Sequence, residues 1–318
     1  MKPLQIGSLK LKSPLVLAPM VDVTDLPYRL LCCRAGAALA FTEMIYVDAL
    51  LHENKKTLNM VKTCKEDSPL GLQITGDRLE EFERFVSRKE LWKKFDLIDL
   101  NCGCPSDRIV GNQAGSFLLK EPEKIASIIK ILKLTKKPIT VKVRLGFDKN
   151  NVLEVARIVE KAGADALTVH CRLVKDGNDK KANWSWLGRV KKVVSIPIIG
   201  NGDVFNGAGA RAVLDLCDGV MVGRGAIGNP LVFTRILNYL EKGKEEDFDV
   251  EKNLEIFKEY LKLEKKYYGE NVDLGKVKYV GGKFLKGFKG VARLRGEFHK
   301  LKTIEEIEGF ARGLQKKI

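Results

Sequence analysis

A (β/α)8 TIM barrel followed by a small C-terminal all-helical region is the α/β fold that the sequence predicts. Three observations predict it. Eight short apolar runs recur up to Gly225, helical patterns fill the gaps between them, and strand signals then stop. Eight alternations of strand and helix suit a closed parallel barrel, with a doubly wound open sheet as the rival. Units that end near residue 240 favour closure.

The runs are Leu15–Met20, Leu39–Ile45, Pro69–Gly76, Leu97–Gly103, Pro138–Gly146, Ala166–Arg172, Pro197–Val204 and Gly219–Gly225, with starts 22 to 41 residues apart. Each is brief and mostly apolar, as a parallel strand buried on both faces requires. Glu121–Leu134 has acidic residues in its first turn and apolar positions at helical spacing, and Leu153–Ala162 and Asn206–Leu216 behave similarly. The charged stretch 241–250 (EKGKEEDFDV) reads as a linker or a helix end. The expected units are a catalytic barrel over 1–240 and a helical module over 250–318.

Composition narrows the class. Of 318 residues, 45% are apolar, enough for a core, and 56 Lys and Arg stand against 41 Asp and Glu. The net charge of +15 suits a polyanionic partner. Within Leu274–Lys302, nine basic residues face a single acid, Glu297. A solvated helix face is the plain explanation; a polyanion-binding surface is the pointed one. No run approaches the ~18 apolar residues of a membrane span. The first residues lack a long apolar stretch and a cleavage site, so a cytoplasmic protein is expected. Seven Cys argue against a disulfide scaffold, and no second pair at zinc spacing accompanies Cys102 and Cys104, so no metal is expected.

Functional side chains in such a barrel lie at the C-terminal strand ends. Those positions here hold Pro19-Met20, Thr42-Glu43, Gln73, Asn101-Cys102-Gly103-Cys104-Pro105, Lys142 with Arg144, His170 with Arg172, Asn201-Gly202-Asp203 and Gly223-Arg224-Gly225. The seventh and eighth ends are where barrels commonly hold phosphate. Glycines admit backbone N–H groups to the anion, and Arg224 adds charge; two tight turns would need the same glycines. Lys142 and Arg144 share a strand face. With His170 they could stabilise an anionic flavin or an enolate oxygen, or form ion pairs with Glu43 or Asp203. Cys104 lies on a turn at the mouth, where its sulfur could attack as a thiolate or donate a proton as a thiol.

These motifs, in this order, resemble the tRNA-dihydrouridine synthase family over nearly the whole chain. Carrying the likeness are Ala18-Pro19-Met20, Thr42-Glu43-Met44, Asn101-x-Gly103-Cys104-Pro105, Lys142-Val143-Arg144, Val169-His170-x-Arg172, Asn201-Gly202-Asp203 and Gly223-Arg224-Gly225-Ala226-x-Gly228-Asn229-Pro230, with Phe284-Leu285-Lys286-Gly287 in the tail. The resemblance implies an FMN-dependent oxidoreductase that reduces uridine in tRNA, with NADPH (or NADH) as reductant. It implies hydride transfer from flavin N5 to uracil C6 and a proton from Cys104 to C5. Pro19, Met20, Val21 and Gln73 would line the flavin ring, with Lys142 and His170 at its polar edge. Asn201, Gly202, Asp203, Gly223 and Arg224 would hold its phosphate. Asn101 would bind the uracil, and Arg144, Arg172, Lys278, Lys283, Lys286, Arg293 and Arg295 would serve the RNA. A uracil in folded RNA must be flipped out to be reached.

The sequence departs from the family at Cys171 and Leu173, where Gly and Thr are usual, and at Lys278-Tyr279-Val280, where Arg-Lys-His is usual. Two other readings stand beside the main one: a small-molecule FMN barrel enzyme related to dihydroorotate dehydrogenase, and a non-enzymatic RNA-binding barrel. A monomer is expected.

Overall fold

The computed structural model describes residues 3–177 and 180–315. Its barrel strands are β1 (Leu15–Leu17), β2 (Ala40–Phe41), β3 (Leu70–Thr75), β4 (Leu97–Cys102), β5 (Ile139–Arg144), β6 (Ala166–His170), β7 (Ile198–Asn201) and β8 (Gly219–Val222). All pair in parallel in the order β1-β8-β7-β6-β5-β4-β3-β2. A parallel bridge between Val16 and Leu39 joins β1 to β2. The Leu17 N–H donates to Leu39 O at 2.9 Å and the Ala38 N–H to Leu15 O at 2.8 Å. The sheet therefore closes into the expected barrel, and the open-sheet rival falls.

All eight runs form strands, each shorter than its apolar run. The trimmed residues, among them Met20, Gly103, Arg172 and Gly225, leave the ladder at the mouth and enter loops. The second run is split: Thr42-Glu43-Met44 separates Ala40–Phe41 from a short strand at Ile45–Tyr46. The Thr42 hydroxyl accepts from the Gln73 N–H at 3.0 Å, a side chain standing in for a ladder carbonyl. Glu43 is thereby freed to turn away.

Side chains alternate with period two. Ile98, Leu100, Val141, Val143, Leu167 and Val169 pack outward against the helices. Leu97, Ala166, Ile199 and Met221 point into the barrel. An N-terminal hairpin (Gln5–Ile6 with Leu9–Lys10) adds Leu4, Ile6 and Leu11 to that inner cluster and plugs the bottom.

Helix starts follow capping chemistry. Asp25, Asn206, Asp249, Asp273 and Thr303 each accept from a first-turn N–H at 2.9–3.1 Å. After Lys242, the elements among the described residues are the helices Val250–Tyr268, Leu274–Phe284, Val291–Lys300 and Ile304–Leu314 and one 3-10 turn. Among the described residues, no helix is long and apolar enough to cross a membrane.

Aromatic packing fixes this helical region to the barrel. Tyr28, from the helix after β1, meets Tyr260 edge-on at 5.8 Å, and Phe257 stacks on Phe284 at 5.1 Å. The Tyr28 hydroxyl donates to Ala226 O and accepts from the Gly228 N–H at 2.7 Å, so it also holds the loop after β8. Gly228 has φ +64°, and a Cβ there would stand 2.4 Å from the backbone carbon of Lys283. Only glycine lets helix Leu274–Phe284 sit this close to the barrel mouth. Gly228→Ala should therefore destabilise the protein by at least about 1–3 kcal/mol, read as a lower denaturant midpoint; an unchanged midpoint would remove this close approach from the account.

Candidate active site

The polar layer above the apolar barrel interior is built from inward positions of β3, β4 and β5. Gln73 Nε2 donates to Asp99 Oδ2 at 2.7 Å, and the Thr140 hydroxyl donates to Asp99 Oδ1 at 2.6 Å. Burial pushes the Asp99 carboxyl up to about 6, against the hydrogen bonds from Gln73 and Thr140. Asn101 Nδ2 donates to Gln73 Oε1 at 3.0 Å. Asn101 Oδ1 then accepts the N–H groups of Gly103 (3.0 Å) and Cys104 (2.9 Å).

That amide fixes the turn bearing Cys104. Arg144 Nε donates to Gly103 O at 3.0 Å, and the Ser116 N–H donates to Cys104 O at 3.0 Å. The turn is thus held from β4, from β5 and from the 3-10 segment Gly115–Lys120. Cys104 is half-buried, whereas Cys102, two residues earlier, is fully buried in the outer core with its thiol pushed up by burial. Burial likewise raises Cys171. Cys104 is the thiol of these three that stands at the mouth.

Beside it lies a cleft of about 230 Å³ over the ends of β5–β8 and β1. Pro19, Met20, Lys142, His170, Asn201, Gly202, Asp203, Gly223 and Arg224 line it. Val21 and Gln73 stand outside this lining: Val21 is 50% exposed at the rim, and Gln73 lies in the buried layer with Asp99. Lys142 is paired in register with Asn101, so the cleft and the Cys104 turn sit on adjacent strands.

Positive charge dominates the cleft. Burial, then the charge of Arg144, pushes Lys142 down to about 8, with Asp99 and Cys104 opposing. His170 is pushed down to about 2 by burial and by Lys142, Arg144, Arg172 and Arg224, so it is neutral. Its Nε2 lies 3.2 Å from Arg172 Nη1. A guanidinium can only donate, so Nε2 accepts and the ring proton sits on Nδ1, an assignment made from this partner. Asp203 bridges two arginines: Arg172 Nη2 at 2.8 and 2.6 Å, and Arg224 Nη2 at 2.8 Å. Burial alone would raise the Asp203 carboxyl. The hydrogen bonds from Arg172 and the Ala182 N–H, with both arginine charges, hold it below the ordinary range instead.

The loop after β8 has the shape of an anion cradle. A Cβ on Gly223 would project to 3.5 Å from Ala18 Cβ and 3.9 Å from the Met20 sulfur, filling space that the bare glycine leaves to a ligand. Arg224 opens the short 3-10 turn Arg224–Ala226 beside it.

Of the residues expected to serve RNA, Asn101 and Arg144 are the buried supports of the Cys104 turn. Arg172 is 3% exposed and committed to Asp203. Lys283, Lys286 and Arg293 are exposed, and Lys278 and Arg295 are half-buried. Lys278 Nζ donates to His299 O at 3.2 Å, Arg293 pairs with Glu297 at 2.8 Å, and Arg295 Nε donates to Gly282 O at 2.9 Å. Phe205 lines the cleft at 50% exposure. Sequence reading missed it. Its place two residues past Asp203 on the mouth loop was the available signal.

Comparison with known proteins identifies the family. The family profile "Dihydrouridine synthase (Dus)" matches residues 16–317. A probable tRNA-dihydrouridine synthase of Rickettsia conorii is 34% identical over 300 residues, covering 92% of this chain and 90% of its own. A tRNA-dihydrouridine synthase B of Pseudomonas syringae pv. tomato is 32% identical over 314 residues, covering 96% and 92%. Among solved structures, a morphinone reductase matches in fold with a TM-score of 0.52 at 14% identity, covering 77% of this chain and 90% of its own. With the profile spanning residues 16–317 and close relatives matched almost end to end, the chain belongs to the dihydrouridine synthase family.

Proposed function

We propose that this protein reduces the C5–C6 double bond of a flipped-out uridine in tRNA, using FMN in the cleft and NADPH or NADH as reductant. The observation that carries the reading is the adjacency of a rigid Cys104 turn to a cationic cleft with a glycine cradle. FMN suits those residues: the Gly223 gap and Arg224 would take its phosphate, and Lys142 with the Nδ1–H of His170 would meet the polar edge of its ring. Pro19, Met20, Asn201, Gly202 and Asp203 complete the seat, with Val21 at the rim and Gln73 beneath. When bound and reduced by the nicotinamide dinucleotide, the flavin would supply a hydride to uracil C6.

The chain's own residues do the rest. Cys104 holds a proton on sulfur and delivers it to C5, so that one hydride and one proton add across the double bond; solvent then reprotonates the thiolate. Asn101 keeps that sulfur in place and has one amide hydrogen left for the base. Arg144 supports the turn, and Arg172 orients Asp203 and His170. The barrel over 1–240 would do the chemistry and the helices of 250–318 would hold the RNA, in a monomer acting in the cytoplasm. Support for the RNA role comes from Lys283 and Lys286, both exposed, with Lys278, Arg293 and Arg295 in the same helical region. Tyr279 is 47% exposed, and Lys283 Nζ lies 5.5 Å from its ring centre.

Four outcomes test this reading. Cys104→Ala should keep FMN and tRNA affinity but lose about 10²–10⁴ in turnover, measured as dihydrouridine formed per enzyme; near-normal turnover defeats the role of Cys104. Lys142 carries its charge below its pKa of about 8 and loses it above. Turnover should therefore decline as pH rises through about 8, and Lys142→Arg, which stays charged, should move that limb upward. If Lys283 neutralises a phosphate, Lys283→Ala should reduce the slope of log affinity against log salt by about 0.7–0.9. Tyr279→Ala, if it removes a stacked base, should weaken binding by about 1–3 kcal/mol with the slope unchanged.

A further inference from the structure

Lys276 belongs by sequence to the basic stretch of the helical region, yet it does not face solvent. Its side chain is 15% exposed, and its Nζ lies 3.0 Å from Glu43 Oε1, 3.1 Å from Glu43 Oε2 and 3.8 Å from Asp25 Oδ2. Glu43 is itself buried at the top of β2 and accepts the Asp22 N–H at 2.6 Å through Oε1. Asp22 has φ +61°, a left-handed conformation that a non-glycine residue adopts only when its surroundings enforce it. It lies in the loop that follows β1 and carries Pro19 and Met20 into the cleft. Within the loop, the Met20 N–H donates to the Thr24 hydroxyl at 3.0 Å and the Thr24 N–H returns to Met20 O at 3.0 Å. A continuous path therefore runs from the helical region through Lys276, Glu43 and Asp22 to the cleft wall.

We propose that Lys276 is a positioning residue: through Glu43 it ties the helical region to the Pro19–Met20 loop and sets the shape of the cofactor cleft, rather than touching RNA. This rests on the reading of that cleft as the FMN seat. Lys276 supplies the cation that Glu43 and Asp25 share, and without it two buried carboxylates lose their counter-charge. Among the described residues, the Glu43 carboxylate accepts only from the Asp22 N–H besides Lys276, so the loop would relax with it.

The test measures FMN affinity by flavin fluorescence and tRNA affinity across a salt series on the full chain. Lys276→Met should weaken FMN binding by about tenfold or more, a part of what breaking a buried pair costs. Its tRNA affinity should change by less than about twofold with an unaltered salt slope. Lys276→Arg should restore FMN binding. The double variant Lys276→Met with Glu43→Gln removes both charges, so it should fold even if the single variant does not, and it should still bind FMN weakly. Phe298→Leu, inside the helical region's own core, should lower the melting temperature without changing FMN affinity; a parallel loss of FMN there would mean general loosening and overturn the proposal. Normal FMN affinity in Lys276→Met or in the double variant, or a reduced salt slope, would also overturn it. If the unaltered protein binds no FMN at all, the cofactor reading falls, and this proposal with it.

Discussion

A single side-chain amide organises the reactive edge of this barrel. Asn101 directs its oxygen to two successive backbone N–H groups and one amide hydrogen to Gln73. Gln73 in turn holds Asp99, which holds Thr140. The Gln73, Asp99, Asn101 and Thr140 side chains are all buried, and a lost hydrogen bond in such a place leaves an unsatisfied group with no water to replace it. The turn that carries Cys104 is therefore not a free loop but the upper end of a network anchored deep between β3, β4 and β5. In the proposed mechanism, a sulfur that is to meet one carbon of a pyrimidine would benefit from that stiffness.

Charge is arranged with equal economy. Four cations bear on His170, and Asp203 joins two of them into one rigid unit. Arg172 and Arg224 can thus stand close together without mutual repulsion opening the mouth. Arg224 is left with exposed surface beside the Gly223 gap, while Arg172 is consumed as a brace. The two arginines look alike on strand ends but do different work.

Much of this was legible in the sequence for a physical reason. Parallel strands buried on both faces read as short apolar runs, and their two-residue period placed Lys142 and Arg144 together on the inner side. The helix Pro122–Lys133 was visible through its acidic first turn and its apolar spacing. What the sequence hid were contacts made across long separations. Lys276 counted as one more charge of a basic surface until its pairing with Glu43, 233 residues away, showed it to be interior. Arg172 shares strand parity with His170, but β6 ends at His170 and the chain turns, so parity no longer governs where Arg172 goes. Phe205 carried no periodic signal because it lies on a loop, where no repeat dictates direction.

The hairpin at the N-terminus has a consequence for traffic. Leu4, Ile6 and Leu11 cork the far end of the barrel with almost no accessible surface. The cleft opens at the opposite end, beside the loop whose Gly228 meets helix Leu274–Phe284. On the proposed function, the nicotinamide and the uridine would both approach from that end to reach the same cleft.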